Sequence, residues 1–183
     1  MRALGRHGGG VKKRLVLEEV AAEHRAAIEA FARTAASVDR AAWNVPRAEG
    51  KWTPAQVVQH VILGYEAGLR ELDGGAGMTV VVPWWKRAVL RWTVLPRILS
   101  GRFPAGARAP KETRPMTAPE SPEAGVGHLR ACAERFAAGI CEADKAARLT
   151  HPYFGRLRGP QILRFLAAHA RHHHRQLPAF PSG

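Results

Sequence analysis

Four histidines lie close together near the end of the chain, and two of them have the spacing of metal ligands. The segment Gln161–Leu177 predicts one amphipathic helix, and His169 and His173 fall in the middle of its apolar stripe, one turn apart. Neutral imidazole is a common metal ligand, and i,i+4 spacing brings both rings to one point. The alternative is a pair of core histidines that bond backbone carbonyls. His172 and His174 lie on the flanks of the stripe, so the four are not one ligand set.

The elements that must position these histidines are helices. A hydrophobic period near 3.6 residues predicts helices over residues 12–40, 54–72, 83–100, 123–149 and 160–177. Thr53 suits the N-cap of the second helix, and Pro96 should kink or split the third. Strand-like alternation is nearly absent. The sequence therefore predicts an all-α fold: an up-and-down four-helix bundle with an extra Trp-rich helix and a proline-rich loop inserted between the second and last bundle helices.

Length and composition predict a single domain. The chain has 183 residues, which is enough for one sizeable core. Residues 1–10 are rich in Gly and basic residues, so we expect a disordered N-terminus followed by one helical domain over residues 11–183. The apolar runs are too short to span a bilayer, and the N-terminus lacks the hydrophobic stretch of a signal peptide, so we expect a cytoplasmic protein. Cys132 and Cys141 fall on opposite faces of a predicted helix, which indicates two buried or free thiols that do not pair with each other.

Basic residues are in excess and unevenly placed. Against 28 Lys and Arg there are 15 Asp and Glu, a net charge of +13. The segment 84–114 contains a single acidic residue, Glu112, and no acidic residue follows Lys145. Such a field attracts anions, but no nucleic-acid-binding motif accompanies it, so a charged small molecule is favoured over nucleic acid. The Trp-rich helix could suit an interface or a membrane surface, although we expect it to pack inward with its arginines reaching to water.

Three stretches together resemble the DinB-like (DinB/YfiT) superfamily of metal-binding four-helix bundles. They are Lys51–His60, with a tryptophan, a helix start and an early histidine; His151–Gly155, just before the last helix; and His169–Leu177, which is similar to the family's closing HxxHHxxQ pattern. The resemblance spans most of the chain. Its first and third motifs are specific in combination.

The resemblance implies a divalent metal, zinc or nickel, held by His60, His169 and His173. Periodicity alone does not select His60, which lies on the flank of its helix and matches only by motif. Three ligands leave positions open for water or substrate. Relatives in the family include transferases that use low-molecular-weight thiols, so the metal is expected to activate a thiol or water.

The sequence allows more than one role for His151 and more than one function for the protein. His151 could be a fourth ligand or a base near the metal, although a turn residue that caps a helix end is the favoured interpretation. The protein could be a metal-dependent transferase or hydrolase acting on a small molecule. The alternative is a non-catalytic metal-binding or stress-response module that docks a partner through its basic Trp/Arg surface. A homodimer is compatible with either.

Overall fold

The computed structural model describes residues 7–104, 108–143 and 147–178. In chain order its elements are helices α1 (His7–Ala36), α2 (Pro54–Leu72), α3 (Trp84–Thr93) and α4 (Leu95–Leu99), a 3₁₀ helix (Lys111–Thr113), helix α5 (Pro122–Ala143), strands β1 (Arg148–His151) and β2 (Gly155–Arg158), and helix α6 (Gly159–His174). The first helix begins at His7, earlier than the sequence predicts. The disorder expected for residues 1–10 stays a prediction for 1–6, which lie outside the described residues.

Helix α2 begins where the sequence predicts, because its first turn is capped. The Thr53 hydroxyl accepts a hydrogen bond from the Gln56 backbone N–H at 3.1 Å, and the Gln56 side chain accepts one from the Thr53 N–H at 3.0 Å. This reciprocal pair satisfies two of the N–H groups that a helix start leaves without partners. Pro54 occupies the first helical turn, where its missing N–H costs nothing. The capped start fixes the position of His60 on the following turns.

The predicted Trp-rich helix is split, as expected from Pro96. Helix α3 ends at Thr93 and α4 begins at Leu95, with Val94 between them. Proline has no N–H to continue the helical ladder, so it takes a place in the first turn of the new helix instead. The inward packing expected of this segment is confirmed for Leu95 and Ile98 of α4, which are buried in the core. It is wrong for the tryptophans of α3, where no residue is fully buried and Trp84 and Trp92 are 73% and 84% exposed.

The expectation of an all-α fold is wrong in one segment. The fourth long helix, predicted to reach residue 149, ends at Ala143, and β1 and β2 form an antiparallel hairpin in which Leu149 pairs with Leu157. Gly155, at φ +66°, supplies the left-handed conformation at the turn. In β2, Gly155 and Leu157 are buried and the arginines between and after them are exposed. This alternation spans only four residues, so it is too short to stand out in the sequence.

The four long helices form the bundle, but their neighbour order differs from the predicted up-and-down order. Helix α1 packs along α5 and α6, and α2 packs along α5. In a simple up-and-down bundle α1 would instead pack along α2. Helices α2 and α6 approach each other over a short stretch only. Among the largest fully buried side chains of the core are Phe31, Trp43, Ile62, Tyr65, Leu129, Phe136, Ile140, Leu157 and Leu163.

Within the described residues, no helix combines the length and the apolar character needed to cross a membrane.

Candidate metal centre

Three histidine side chains from two helices meet where α2 and α6 approach each other. His60 lies two turns into α2, and His169 and His173 lie one turn apart on α6. The Nε2 atom of His169 is 3.1 Å from Nε2 of His60 and 3.0 Å from Nε2 of His173. The structure therefore brings together the three residues that the family resemblance selects, including His60, which periodicity alone does not.

The other ring nitrogens of two of these histidines are held by oxygen acceptors. Nδ1 of His60 lies 2.7 Å from the backbone carbonyl of Thr113, and Nδ1 of His173 lies 2.8 Å from Oε1 of Gln176. A carbonyl oxygen can only accept, so each Nδ1 carries the proton and each Nε2 presents a lone pair. His169 has one proton to donate and faces both lone pairs. At least one lone pair is therefore left without a proton, and a cation at the centre would satisfy it.

The surroundings keep these imidazoles neutral. Burial lowers the pKa of His60 and lowers that of His173 to about 3. Burial, followed by the neighbouring imidazoles of His173 and His60, holds the pKa of His169 well below its usual range. Removing the rings from water disfavours their charged form. Neutral imidazole is the form that binds metal, so near pH 7 protons do not compete for the three nitrogens.

The spacing of the three nitrogens fits a divalent ion. Nitrogen ligands at about 2.0–2.1 Å from a tetrahedral zinc lie roughly 3.3–3.4 Å from one another. The observed Nε2 separations of 3.0 and 3.1 Å from His169 are a few tenths of an ångström shorter. All three ligand atoms lie within 4.8 Å of one another. Small rotations of the rings would therefore accommodate an ion, with at least one coordination position left free.

Aromatic side chains surround the three histidines. The ring of Trp52 lies 4.9 Å from that of His60, centre to centre, and stacks at 6.5 Å on that of His173. Phe103 and Phe165 each approach His169, with ring centres 5.9 Å away. These contacts limit the rotation of the imidazoles and exclude water from part of the centre. In this environment the electrostatic interactions of a bound ion are stronger than in open solvent.

A large cavity opens from the histidines along α2. Its volume is about 1430 Å³. The residues of α2 that line it after His60 include Gly64, Ala67, Gly68 and Glu71, which recur at helical spacing on one face. A Cβ atom added at Gly64 would meet nothing within 4 Å. The small side chains on this stripe therefore leave the space that a larger residue would fill.

The lining of the cavity is apolar with a basic excess. Its cationic residues are Arg47, Lys51, Arg108 and Arg114. Among the described residues that line it, Glu71 is the single carboxylate, and its two oxygens already accept hydrogen bonds from the Thr150 hydroxyl and N–H at 2.8 and 2.7 Å. The cavity thus has four cationic side chains against one carboxylate, an excess of positive charge that favours an anionic ligand.

His151 lines the same cavity but does not join the three histidines. It lies at the end of β1, and its ring contacts that of Phe165 at 4.7 Å, on the path towards His169. Its Nδ1 accepts a hydrogen bond from the Tyr153 N–H at 3.2 Å, so its proton is on Nε2. Burial lowers the pKa of His151 to about 3. At neutral pH this side chain is a neutral hydrogen-bond donor facing the cavity.

Two groups that hold the histidines in place could not be predicted from the sequence: the Gln176 side chain and the Thr113 carbonyl. Gln176 stands in the quoted closing pattern, but its function becomes clear only from its contacts: it accepts from His173 and approaches His172 Nε2 with its amide nitrogen at 3.1 Å. The backbone carbonyl of Thr113 belongs to the 3₁₀ helix of the proline-rich loop. No side-chain pattern signals a backbone acceptor, so the sequence offered nothing from which to find it.

Comparison with known proteins places this site in a family. Among solved structures, the chain is similar to YfiT from Bacillus subtilis, which is described as a probable metal-dependent hydrolase with an unusual four-helix bundle topology. The two share 18% sequence identity, with a TM-score of 0.42, over 97% of this chain and 87% of that one. No curated protein matches the chain. The family model of the DinB superfamily matches residues 23–177, a stretch that includes all three histidines, and the chain therefore belongs to the DinB superfamily.

Proposed function

We propose that the protein is a metal-dependent enzyme in which His60, His169 and His173 hold a zinc or nickel ion. In this proposal the reaction is a thiol transfer or a hydrolysis on a small anionic molecule. The observation that carries it is the convergence of the three Nε2 atoms at one end of an open cavity, with the protons of His60 and His173 held on their Nδ1 atoms. A structural metal site is usually closed by four protein ligands, whereas three ligands leave room for a reactant.

A divalent ion in such a site supplies Lewis acidity and lowers the pKa of a water or thiol at the free position. The protein's part is to keep the three nitrogens available and correctly aimed. Thr113 and Gln176 do this for His60 and His173 by holding the proton on Nδ1. Trp52 restricts both rings by contact, tilted against His60 and stacked on His173. Similar outer hydrogen bonds in metal enzymes typically change metal affinity or activity by about 10–100-fold when removed.

The substrate class follows from the lining of the cavity. Arg47, Lys51, Arg108 and Arg114 give it positive charge, and the carboxylate of Glu71 is occupied by Thr150. A carboxylate, phosphate or sulfonate on the substrate would be attracted by these side chains, while the apolar walls contact the remainder of the molecule. A low-molecular-weight thiol that bears a carboxylate satisfies both requirements.

We assign His151 to substrate positioning. Its proton is on Nε2, and its pKa of about 3 keeps it neutral at physiological pH. It is therefore a hydrogen-bond donor to a substrate oxygen and not a general base, because its one lone pair already accepts from the Tyr153 N–H. This role differs from that of the three metal ligands, and a substitution distinguishes the two.

The test combines metal analysis with activity. Elemental mass spectrometry on untagged protein should find a metal equivalent that is lost in His60→Ala and retained in His151→Gln. Both variants should then lose turnover in a screen of thiol-transfer and hydrolysis reactions on anionic substrates, the first because the ion is gone and the second because the substrate is misplaced. Absence of a His60-dependent metal, even after reconstitution with zinc or nickel, would contradict the proposal.

A second candidate function is binding to a partner through α3. Trp84, Trp85 and Trp92 are 73%, 53% and 84% exposed, which is unusual for residues that normally bury their rings. In this alternative the three histidines hold a structural or vestigial metal, and the Trp face docks a partner, a second copy of the chain included. Chelation separates the two functions: collapse of the fold on metal removal would favour this alternative, because a structural metal contributes directly to folding.

A further inference from the structure

A second cluster of metal-ligand side chains lies between α2 and α5. Glu66 is on α2, and His128 and Cys132 are on α5. Nε2 of His128 is 3.3 Å from Oε1 of Glu66, and ligand atoms of all three side chains lie within 4.8 Å of one another. Glu66 is six residues beyond His60, about 240° further around the helix. The cluster is therefore on a different face of α2 from the three histidines.

The chemistry of this cluster suits a zinc-like ion. Thiolate, imidazole and carboxylate are all zinc ligands, and His128 and Cys132 are one helical turn apart, so both reach one point. Cys132 is buried, whereas the His128 side chain is 52% exposed. An ion held here would keep at least one position open to water.

The neighbouring charges leave the cluster free to bind a cation. Arg135 of α5 lines the same depression as the cluster, and its guanidinium is paired with Asp73 at 2.7 Å. Arg70, on α2, donates to the backbone carbonyl of Ala76 at 3.3 Å. All of these side chains line one shallow depression of about 500 Å³ together with the cluster. The cluster is therefore accessible from solvent and has no unpaired arginine directed into it among these contacts.

We propose that Glu66, His128 and Cys132 form a second divalent-metal site, of the zinc class, with water completing the coordination. On binding, the S–H bond of Cys132 breaks, a metal–sulfur bond forms, and the proton passes to solvent. The consequence is that metal-saturated protein holds up to two ions per chain, of which one depends on Cys132. This proposal is independent of the three-histidine centre, which contains no sulfur.

The sulfur ligand provides the test. Cobalt(II) bound to a thiolate gives an intense charge-transfer absorption in the near ultraviolet, which imidazole and carboxylate ligands do not give. Titration of the reduced full-length protein with cobalt(II) should produce this band, saturating at one equivalent of thiolate-bound ion, and zinc should abolish it. The same band should appear in His169→Ala, where the three-histidine centre is disrupted.

Matched variants decide which residues are responsible. Cys141, the other thiol, is exposed on the same helix, so Cys141→Ser is the control and should keep the band. Cys132→Ser should lose it, and His128→Ala, a change at a half-exposed position, should weaken cobalt binding by at least about tenfold. The proposal is overturned if folded, reduced protein shows no band in excess cobalt. It is equally overturned if the band follows Cys141 and not Cys132; Glu66 and His128 would then be a surface ion pair beside a buried thiol.

Discussion

Replacing Gln176 by leucine should weaken metal binding at the three-histidine centre without removing a ligand. Gln176 lies after the end of α6, where its Oε1 accepts from Nδ1 of His173 at 2.8 Å. Leucine has a similar size but no acceptor, so it leaves the His173 proton unheld and the ring free to choose the other tautomer. That tautomer would place a proton on Nε2, where the ion must bind.

The magnitude follows from the exposure of the hydrogen bond. Loss of such an outer partner lowers metal affinity by about 10–100-fold. Gln176 is exposed, so water can replace part of the lost bond, and we expect the lower end, about tenfold or about 1.4 kcal/mol. At a free metal concentration of about 100 times the wild-type Kd, binding stabilises the fold by about 2.7 kcal/mol, and this falls to about 1.4 kcal/mol in the variant. For a chain of this size, that difference corresponds to roughly 3–5 °C in Tm.

The assay is thermal melting of metal-free and metal-loaded protein at one fixed free zinc concentration, supported by a competition titration of the affinity. Gln161→Leu is the matched control. Its side chain accepts from the Arg158 N–H at 3.1 Å at the start of α6, so it should lower the Tm of both forms equally and leave the zinc-induced shift unchanged. If Gln176→Leu retains the full zinc-induced shift and the wild-type affinity, the hydrogen bond does not set the tautomer of His173, and the reasoning is refuted.

Two further predictions concern the fold around the cavity. Gly64→Ala should raise the free energy of unfolding by about 0.5–1 kcal/mol, since its Cβ meets nothing within 4 Å. Gly68→Ala should lower the free energy of unfolding by about 1–3 kcal/mol, because its Cβ would approach Phe136 Cε2 to 2.5 Å. Denaturant titration of both variants checks that the two effects have opposite signs. The metal-free protein should lose stability as the pH falls from about 6.5 to about 3, because burial depresses the pKa of His151 and His173 to about 3 and the unfolded state therefore binds more protons in this window. Melts over this range should show a shallower slope for His151→Gln, and an unchanged slope would contradict the assignment.

The helices that position the site could be predicted from local signals. Thr53 and Pro54 mark the start of α2 because capping is a local interaction, and Pro96 divides the Trp-rich segment because it lacks an N–H. The hairpin could not be predicted in this way. Its two strands of four residues pair Leu149 with Leu157 across a turn, and the sequence shows too few alternations to separate them from the end of a helix.

The orientation of α3 could not be predicted from the sequence either. A helical wheel identifies its apolar face but not the direction in which that face points. Arg91 donates to the backbone carbonyls of Phe154 and Arg156 at 3.1 and 2.8 Å, which fixes the arginine face of α3 against the hairpin. Trp85 and Trp92, which lie about 120° and 100° from Arg91 around the helix, are consequently turned to solvent. Because the hairpin was not predicted, the carbonyl groups that accept from Arg91 could not be predicted either.

The three-histidine centre, too, could be predicted from local sequence only in part. Two of its histidines share one helix, so their spacing alone indicates a common ligand. His60 belongs to another helix, more than a hundred residues away in sequence, and only the family pattern relates it to them. A bundle selected for packing alone would fill this interior position with apolar side chains, because a buried imidazole lone pair that has neither a proton nor a cation facing it is costly.

The cost of burying the three imidazoles and the open shape of the bundle both arise where α2 meets α6. Helices α2 and α6 meet over a short stretch, and small residues on α2, such as Gly64, leave the space of the cavity beside that stretch unfilled. The interface between these two helices therefore contributes little apolar burial, and the three histidines add an unfavourable term to it. A cation bound by Nε2 of all three would remove this term and link α2 to α6 directly. Metal binding, access to the cavity and the stability of this edge of the bundle are thus expected to change together, so a variant that fills the cavity should not be read as stabilising the site until its metal affinity has been measured.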